Sequence, residues 1–190
     1  MGVATSLILL NPTNIGDCLI AVTGGALGGV AADIDTVDNS YEDDAAVGQV
    51  IAVLLTIACV LLDYKNQIGI IEDFMFGSKI ITILGVIAYI LLMIKGFNSN
   101  HRSFTHSFLA LILFTISTWL IYPPLSIAYF AGYLSHLTLD VLNKKRVPLF
   151  YPIGKGICLK LFYAGKLANK VFMWIGIILS AVFIINIVGI

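Results

Sequence analysis

Six apolar runs, each bounded by polar or turn-forming residues, set the pattern of the chain: Ile15 to Ala32, Ala46 to Leu62, Ser78 to Ile94, Thr105 to Tyr122, Leu125 to Leu142 and Val171 to Ile190. As a helix, each is long enough to span or nearly span a hydrocarbon core, which needs about 20 residues at about 1.5 Å per residue. Ahead of them, Met1 to Leu10 is uncharged but about half as long as a span requires, and Asn11-Pro12-Thr13-Asn14 reads as a turn. The pattern predicts an all-α fold, a polytopic transmembrane helix bundle of six full spans preceded by a short helix that folds back. Asp17 then falls in the first turn of the next helix, where the dipole favours a carboxylate; a single continuous helix would bury it in lipid. Gly24, Gly25, Gly28 and Gly29 form two overlapping GxxxG spacings, which let helices approach closely in a membrane.

Composition agrees with the pattern. Hydrophobic residues make up 59% of the 190 and charged residues 12%, against about 25% charged in an average soluble domain. One transmembrane domain over 1–190 is the simplest organisation, because each helix satisfies its own backbone. Cys18, Cys59 and Cys158 are scattered without a CxxC spacing and read as small packing residues. No cationic stretch precedes the first apolar run, so a cleavable signal peptide is not expected.

Lysine and arginine orient the chain. Lys144, Lys145, Arg146, Lys155, Lys160, Lys166 and Lys170 are seven of the eleven basic residues and fall in one connection, 143–170, which the positive-inside rule places in the cytoplasm. Loops 33–44 and 95–104 are then cytoplasmic, and 63–77 and 122–124 lie outside. Within the basic connection, KLFYAGKLANK mixes lysines with Leu, Phe and Tyr as an interfacial amphipathic segment does, although plain topogenic charge is the simpler account.

Three stretches at predicted cytoplasmic helix ends carry groups that could bind metal: AADID at 31–35, HRSFTHS at 101–107 and SHLTLD at 135–140. His136 and Asp140 are four apart and share a helix face. His101 and His106 lie in and just after the loop that enters the fourth run. Asp33 and Asp35 converge only if the backbone leaves helical geometry. Each piece alone has an ordinary reading, as a hydrogen-bonded pair, a cap or a wet face with Asp38, Glu42, Asp43 and Asp44. Together, all three histidines and the carboxylates nearest the membrane can meet at one depth, where ionisable groups are costly and point to function. Imidazoles mixed with carboxylates suit a borderline divalent metal, zinc or manganese, as one or two ions.

AADID, NHRSFTHSFLAL and GYLSHLTLDVLNKKRVPLFYP resemble the signature blocks of the YdjM-type inner-membrane proteins, usually described as membrane-bound metal-dependent hydrolases. Those blocks run as DxD, HRxxTHS and GYxxHxxxD with a VPLxxP-like segment after the last, and the resemblance extends from about Gly24 to Pro152. It implies a helical membrane hydrolase with Asp33, Asp35, His101, His106, His136 and Asp140 at the metal-binding positions. Two features depart from the pattern. Family members carry a Thr-His pair near the amino terminus that MGVATSLILL lacks; a start displaced downstream of that pair, with Gly2-Val3-Ala4 matching the residues next to it, is the expectation. Ala32 stands where the family often has proline.

A divalent ion at such a site would make hydrolysis the expected chemistry, since it acidifies bound water without a serine or cysteine nucleophile. Arg102 and Asp35 are the candidate catalytic residues; the Arg102 fork can clamp a phosphate or carboxylate oxygen, or serve as an interfacial anchor. Thr105, Ser107 and Ser135 can orient the ligands or cap helices. Depth near the headgroups favours an amphiphilic ester or phosphoester, with membrane lipid as partner and no nucleic acid. The alternatives are a metal transporter, which should hold its ligands near the midplane, and a non-catalytic membrane protein tied together by its metal.

Overall fold

The computed structural model describes residues 1–35, 42–100, 102–154, 156–161 and 166–188. Among them run eight helices: α1 Gly2–Leu10, α2 Ile15–Ala31, α3 Glu42–Asn66, α4 Ile70–Phe76, α5 Lys79–Phe97, α6 Phe108–Ile121, α7 Pro123–Leu142 and α8 Lys166–Val188, with a 3₁₀ turn at Ala32–Asp35 after α2. The stub forms as the turn signal predicts. Asn11 closes α1 in the left-handed conformation, φ 42°, and Asn14 opens α2 by accepting the Asp17 N–H at 2.8 Å. Asp17 therefore sits in the first turn of α2, its carboxylate accepting from the Asn14 amide at 2.7 Å.

Among the described residues, five segments are long and apolar enough to cross a bilayer: Ile15–Asp35, Ala45–Asn66, Lys79–Phe97, Pro123–Leu142 and Lys170–Ile187. The fourth predicted run is shorter than expected. Ser107 accepts the Ala110 N–H and starts α6 there, and Pro123 begins α7 at once, leaving 14 helical residues. These rise about 21 Å, short of a core about 30 Å thick. The balance is a non-helical turn, 102–107, which is tolerated at a membrane edge only when protein covers it. Phe104, Thr105, His106 and Ser107 are accordingly buried.

The centre of the bundle is a seam between α2 and α7, which run parallel. The α2 glycines make it possible. A Cβ on Gly28 would lie 2.0 Å from the Tyr129 carbonyl oxygen, and one on Gly24 2.5 Å from Ala128 Cβ; from the other side, one on Gly132 would lie 2.4 Å from the Gly25 oxygen. Contacts this close let dispersion hold helices together where lipid removes the hydrophobic drive. Helix α1 packs antiparallel into the same groove, with buried Ser6 donating to the Ala21 carbonyl at 2.6 Å. Around Tyr129 and Tyr133, the aromatic residues Phe104 and Phe114 with Leu111 and Leu137 build the apolar core that supports the end of the seam.

Helices α3, α5 and α8 flank this centre and turn apolar faces outward, as lipid-facing helices do. Buried Asp63 at the end of α3 accepts the Ile70 and Ile71 N–H groups at 3.0 and 2.9 Å, fixing the start of α4. After α7 the first part of the basic connection is no free tail. Val147 and Ile157 pair in an antiparallel bridge, Leu159 and Leu161 bond back to the carbonyls of Val141 and Leu142, and the Leu149 carbonyl accepts the Phe108 N–H at 2.9 Å. Helix α8 begins at Lys166, five residues before the predicted run. Much of the amphipathic reading of 160–170 falls at 162–165, outside the described residues, as do Asp38 and Lys155.

Candidate metal centre

The ends of three elements meet at the top of the seam. The 3₁₀ turn carries Asp33 and Asp35, the 102–107 turn carries Arg102, Thr105 and His106, and α7 carries His136 and Asp140 one helical turn apart. Asp33, His106 and His136 offer ligand atoms that all lie within 4.8 Å of one another. Asp140 joins them: its Oδ2 lies 3.0 Å from His106 Nε2 and 3.7 Å from His136 Nε2. Asp33 Oδ1 lies 3.7 Å from His106 Nε2 and 3.4 Å from His136 Nε2.

These separations fit a metal. A tetrahedral ion with N and O ligands at about 2.0–2.2 Å places its donors about 3.4 Å apart; the four imidazole–carboxylate distances approach this, and Asp33, His106 and His136 are the set whose donors all lie within 4.8 Å of one another. Asp140 Oδ2 is buried yet accepts no hydrogen bond among the described residues, so its short approach to His106 does not satisfy it as an acceptor. Two carboxylate oxygens and two imidazole nitrogens are also the donor chemistry that zinc and manganese take.

The backs of the rings set their tautomers. His136 Nδ1 lies 2.9 Å from the Gly29 carbonyl; a carbonyl only accepts, so Nδ1 carries the proton and Nε2 presents its lone pair to the group. His106 turns Nδ1 towards Asp35 Oδ2 at 3.5 Å and Thr105 Oγ1 at 3.1 Å. That carboxylate also accepts from Thr105 Oγ1 at 2.7 Å and from the Arg102 N–H at 3.0 Å. A carboxylate behind a ligand histidine is the usual device for orienting it. Tyr133 holds the turn from below, donating its hydroxyl to the Thr105 carbonyl.

The structure thus brings together Asp33, His106, His136 and Asp140, and places Asp35 on the Nδ1 side of His106, away from the Nε2 group. His101 lies outside the described residues. Arg102 reaches Asp140 Oδ1 through Nη2 at 3.4 Å. Of the hydroxyls expected to orient ligands, Thr105 does so through Asp35, whereas Ser107 caps α6 and Ser135 bonds to Gly132 within its own helix. Two contributors lay beyond the sequence reading. The Gly29 carbonyl has no side-chain signal. Gln49, which donates to the Asp33 carbonyl at 3.2 Å, did have one: it is a lone amide in an apolar span, where polar groups need a partner.

Membrane-length helices and a half-buried His/Asp group that could hold a metal ion define a class, polytopic membrane proteins with a candidate metal centre at one end of the bundle. The chain belongs to the YdjM inner membrane protein family, whose profile matches residues 1–189. No curated protein and no solved structure matches it.

Proposed function

We propose that the chain is a membrane-bound metal-dependent hydrolase in which Asp33, His106, His136 and Asp140 hold a divalent ion, zinc or manganese, at the cytoplasmic membrane face. The observation that carries this reading is the group Asp33, His106 and His136, whose donor atoms all lie within 4.8 Å of one another, with Asp140 Oδ2 3.0 and 3.7 Å from the two imidazoles and the rings oriented from behind. When bound, the ion would supply Lewis acidity and a more acidic water at neutral pH. The chain's own groups do the rest. Asp35 holds the His106 ring and the Arg102 backbone; Gly29 holds the His136 tautomer. Arg102 stands beside Asp140 as the one described cation in contact with the group, placed to receive an anionic or polarised oxygen. The basic connection supports the cytoplasmic side, and depth at the helix ends favours an amphiphilic ester or phosphoester.

One rival has its own observation. Four protein donors suffice to close a zinc tetrahedron, as structural sites do. Against it, the Asp33 side chain is 26% exposed and that of His136 19%, so water reaches the donors on that side. A transporter is disfavoured because the donors sit at the ends of α2 and α7 rather than at mid-span. The test is elemental analysis of detergent-purified protein beside His106→Ala and His136→Ala, and then an ester and phosphoester screen. Stoichiometric metal lost in both variants, with hydrolysis that needs it, is expected. Metal that supports only the melting temperature, with no hydrolysis, would return the structural reading.

A further inference from the structure

The VPLFYP stretch after α7 supplies no donor to the candidate centre, yet it is folded with care. Residues 147–154 carry no charge, and their side chains divide two ways. Val147 is buried, and Leu149 and Tyr151 pack against the core that contains Phe104. Phe150 and Ile153 instead point away from it, 62% and 79% exposed, and in the returning segment Leu159 and Leu161 are 56% and 68% exposed. Large apolar residues crowded on one short loop differ from the single ones that any surface carries, and mark a contact with an apolar phase.

The backbone of the loop is provided for in the same way. The N–H groups of Val147, Leu149, Tyr151 and Ile153 donate to the carbonyls of Ile157, Val147, Pro148 and Phe150, and Pro148 and Pro152 have no N–H to satisfy. On the returning side, the Ile157, Leu159 and Leu161 N–H groups donate to the carbonyls of Val147, Val141 and Leu142. A loop in water can leave such groups to the solvent, whereas one in contact with lipid must bond them internally.

The short α6 sets the depth. With Pro123 starting α7 at the far face, a helix rising about 21 Å in a core about 30 Å thick begins about 9 Å below the near boundary. Its first residue is Phe108, and the Phe150 ring stands edge-on to the Phe108 ring at 5.7 Å. Phe150 thus lies where the missing turns of α6 would have met acyl chains. Leu159 and Leu161, bonded to the last residues of α7, lie at the boundary itself. Charge changes sign of purpose there: Lys144, Lys145 and Arg146 are exposed at the neck of the loop, and Lys160 lies between the two leucines.

We infer that the 147–161 loop is a lipid-docking surface, seated in the leaflet at the metal-centre end of the bundle with Phe150 and Ile153 among acyl chains and Lys144, Lys145 and Arg146 on anionic phospholipid headgroups. Basic side chains at a membrane surface attract such headgroups, and their long stems reach them from an apolar base. The Leu149 carbonyl that accepts the Phe108 N–H belongs to this loop, so the leaflet braces the start of α6 and the turn carrying His106. The surface stands whether or not the centre holds a metal.

The test is electron paramagnetic resonance of the full chain in vesicles of phosphatidylethanolamine and phosphatidylglycerol, with a nitroxide on Ile153→Cys and Cys158→Ser beside it, since Cys18 and Cys59 are buried. Oxygen should reach the label and a water-soluble nickel chelate should not, as for a label at Ile112→Cys on the outward face of α6; a label at Gln67→Cys, beyond the end of α3, should show the reverse. Nickel access at position 153 equal to that at 67 puts the loop in water and overturns the inference. Exclusion of both reagents, or spin–spin broadening that grows with protein concentration, means that another protein or a second copy covers the loop, and overturns it as well. Spin-labelled phosphatidylglycerol should be held in preference to spin-labelled phosphatidylethanolamine, and joint Lys144→Gln, Lys145→Gln and Arg146→Gln should lower that preference by about 2-fold or more; an unchanged preference overturns the headgroup assignment. Ile153→Asp should speed hydrogen exchange at the Phe108 amide and leave α2 and α7 unaltered, and an unchanged rate at Phe108 overturns the brace.

Discussion

Asp35→Asn tests whether the two aspartates of the 3₁₀ turn do different work. The substitution keeps size and shape but replaces a carboxylate that accepts from Thr105 at 2.7 Å and Arg102 N–H at 3.0 Å and faces His106 Nδ1 at 3.5 Å. All three contacts fall on Oδ2, so the amide oxygen can take its place and keep both hydrogen bonds; what is lost is the charge behind the imidazole and on the acceptor. Loss of an orienting partner of this kind costs about 10–100-fold in metal affinity, or about 1.4–2.7 kcal/mol. Hydrogen bonds to a charged acceptor contribute about 1.5–3 kcal/mol, against about 0.5–1.5 for neutral ones, so the loss of the charge should lower the melting temperature of the metal-free protein as well. The assay is competition with a chromophoric chelator, run beside Asp33→Asn and His136→Ala. The expected order is wild type, then Asp35→Asn one to two decades weaker, then the other two with no stoichiometric metal. If Asp35→Asn loses metal as completely as Asp33→Asn, Asp35 is itself a ligand and the reasoning from the two faces of the His106 ring fails. If its affinity is unchanged, the carboxylate does not orient the ring.

Gly28→Ala should destabilise strongly, because its Cβ would meet the Tyr129 carbonyl at 2.0 Å and backbone cannot give way, whereas Gly29→Ala, with nothing nearer than 3.4 Å, should be close to neutral; about 1–3 kcal/mol or more separates them, measured as melting in detergent. Asp63→Ala removes the acceptor of two α4 amides and should cost about 1–3 kcal/mol, with hydrogen exchange accelerated at Ile70 and Ile71 and unchanged on α7. Tyr133→Phe leaves the buried Thr105 carbonyl without its hydroxyl partner and should loosen the 102–107 turn, read as a severalfold weaker metal affinity with α2 and α7 exchange unaltered.

Much of this architecture was legible because membranes simplify the problem. Apolar length alone located the long helices, and ionisable residues inside apolar runs or at their edges are so costly that Asp33, His106, His136 and Asp140 stood out. The GxxxG spacings at Gly24 to Gly29 pointed to the seam that the structure contains. Asp35 was harder to place. In a 3₁₀ turn each residue advances about 120°, so two positions apart lie about 240° apart and the DxD pair splits to opposite sides of the His106 ring. The short α6 was hidden for a related reason: an apolar run reads the same whether its first residues are helical or folded into a covered turn, and the difference lies in the Ser107 cap. Backbone acceptors such as Gly29 leave no trace in a side-chain pattern.

The parallel seam of α2 and α7 carries the His136 and Asp140 donors and the Gly29 brace on two helices locked backbone to backbone, with Asp33 on the 3₁₀ turn that continues α2. His106 arrives separately, on a turn with no helical bonds of its own, held by Asp35, Tyr133 and the strap at Leu149. The candidate centre is therefore mechanically asymmetric, with one rigid jaw and one that can open without unzipping the bundle. Local opening free energies are lowest where regular structure is absent, so the lifetime of a captured ion should be set by the 102–107 turn alone. Exchange kinetics and equilibrium affinity then become separable properties, the first tuned through the strap and the second through the donors.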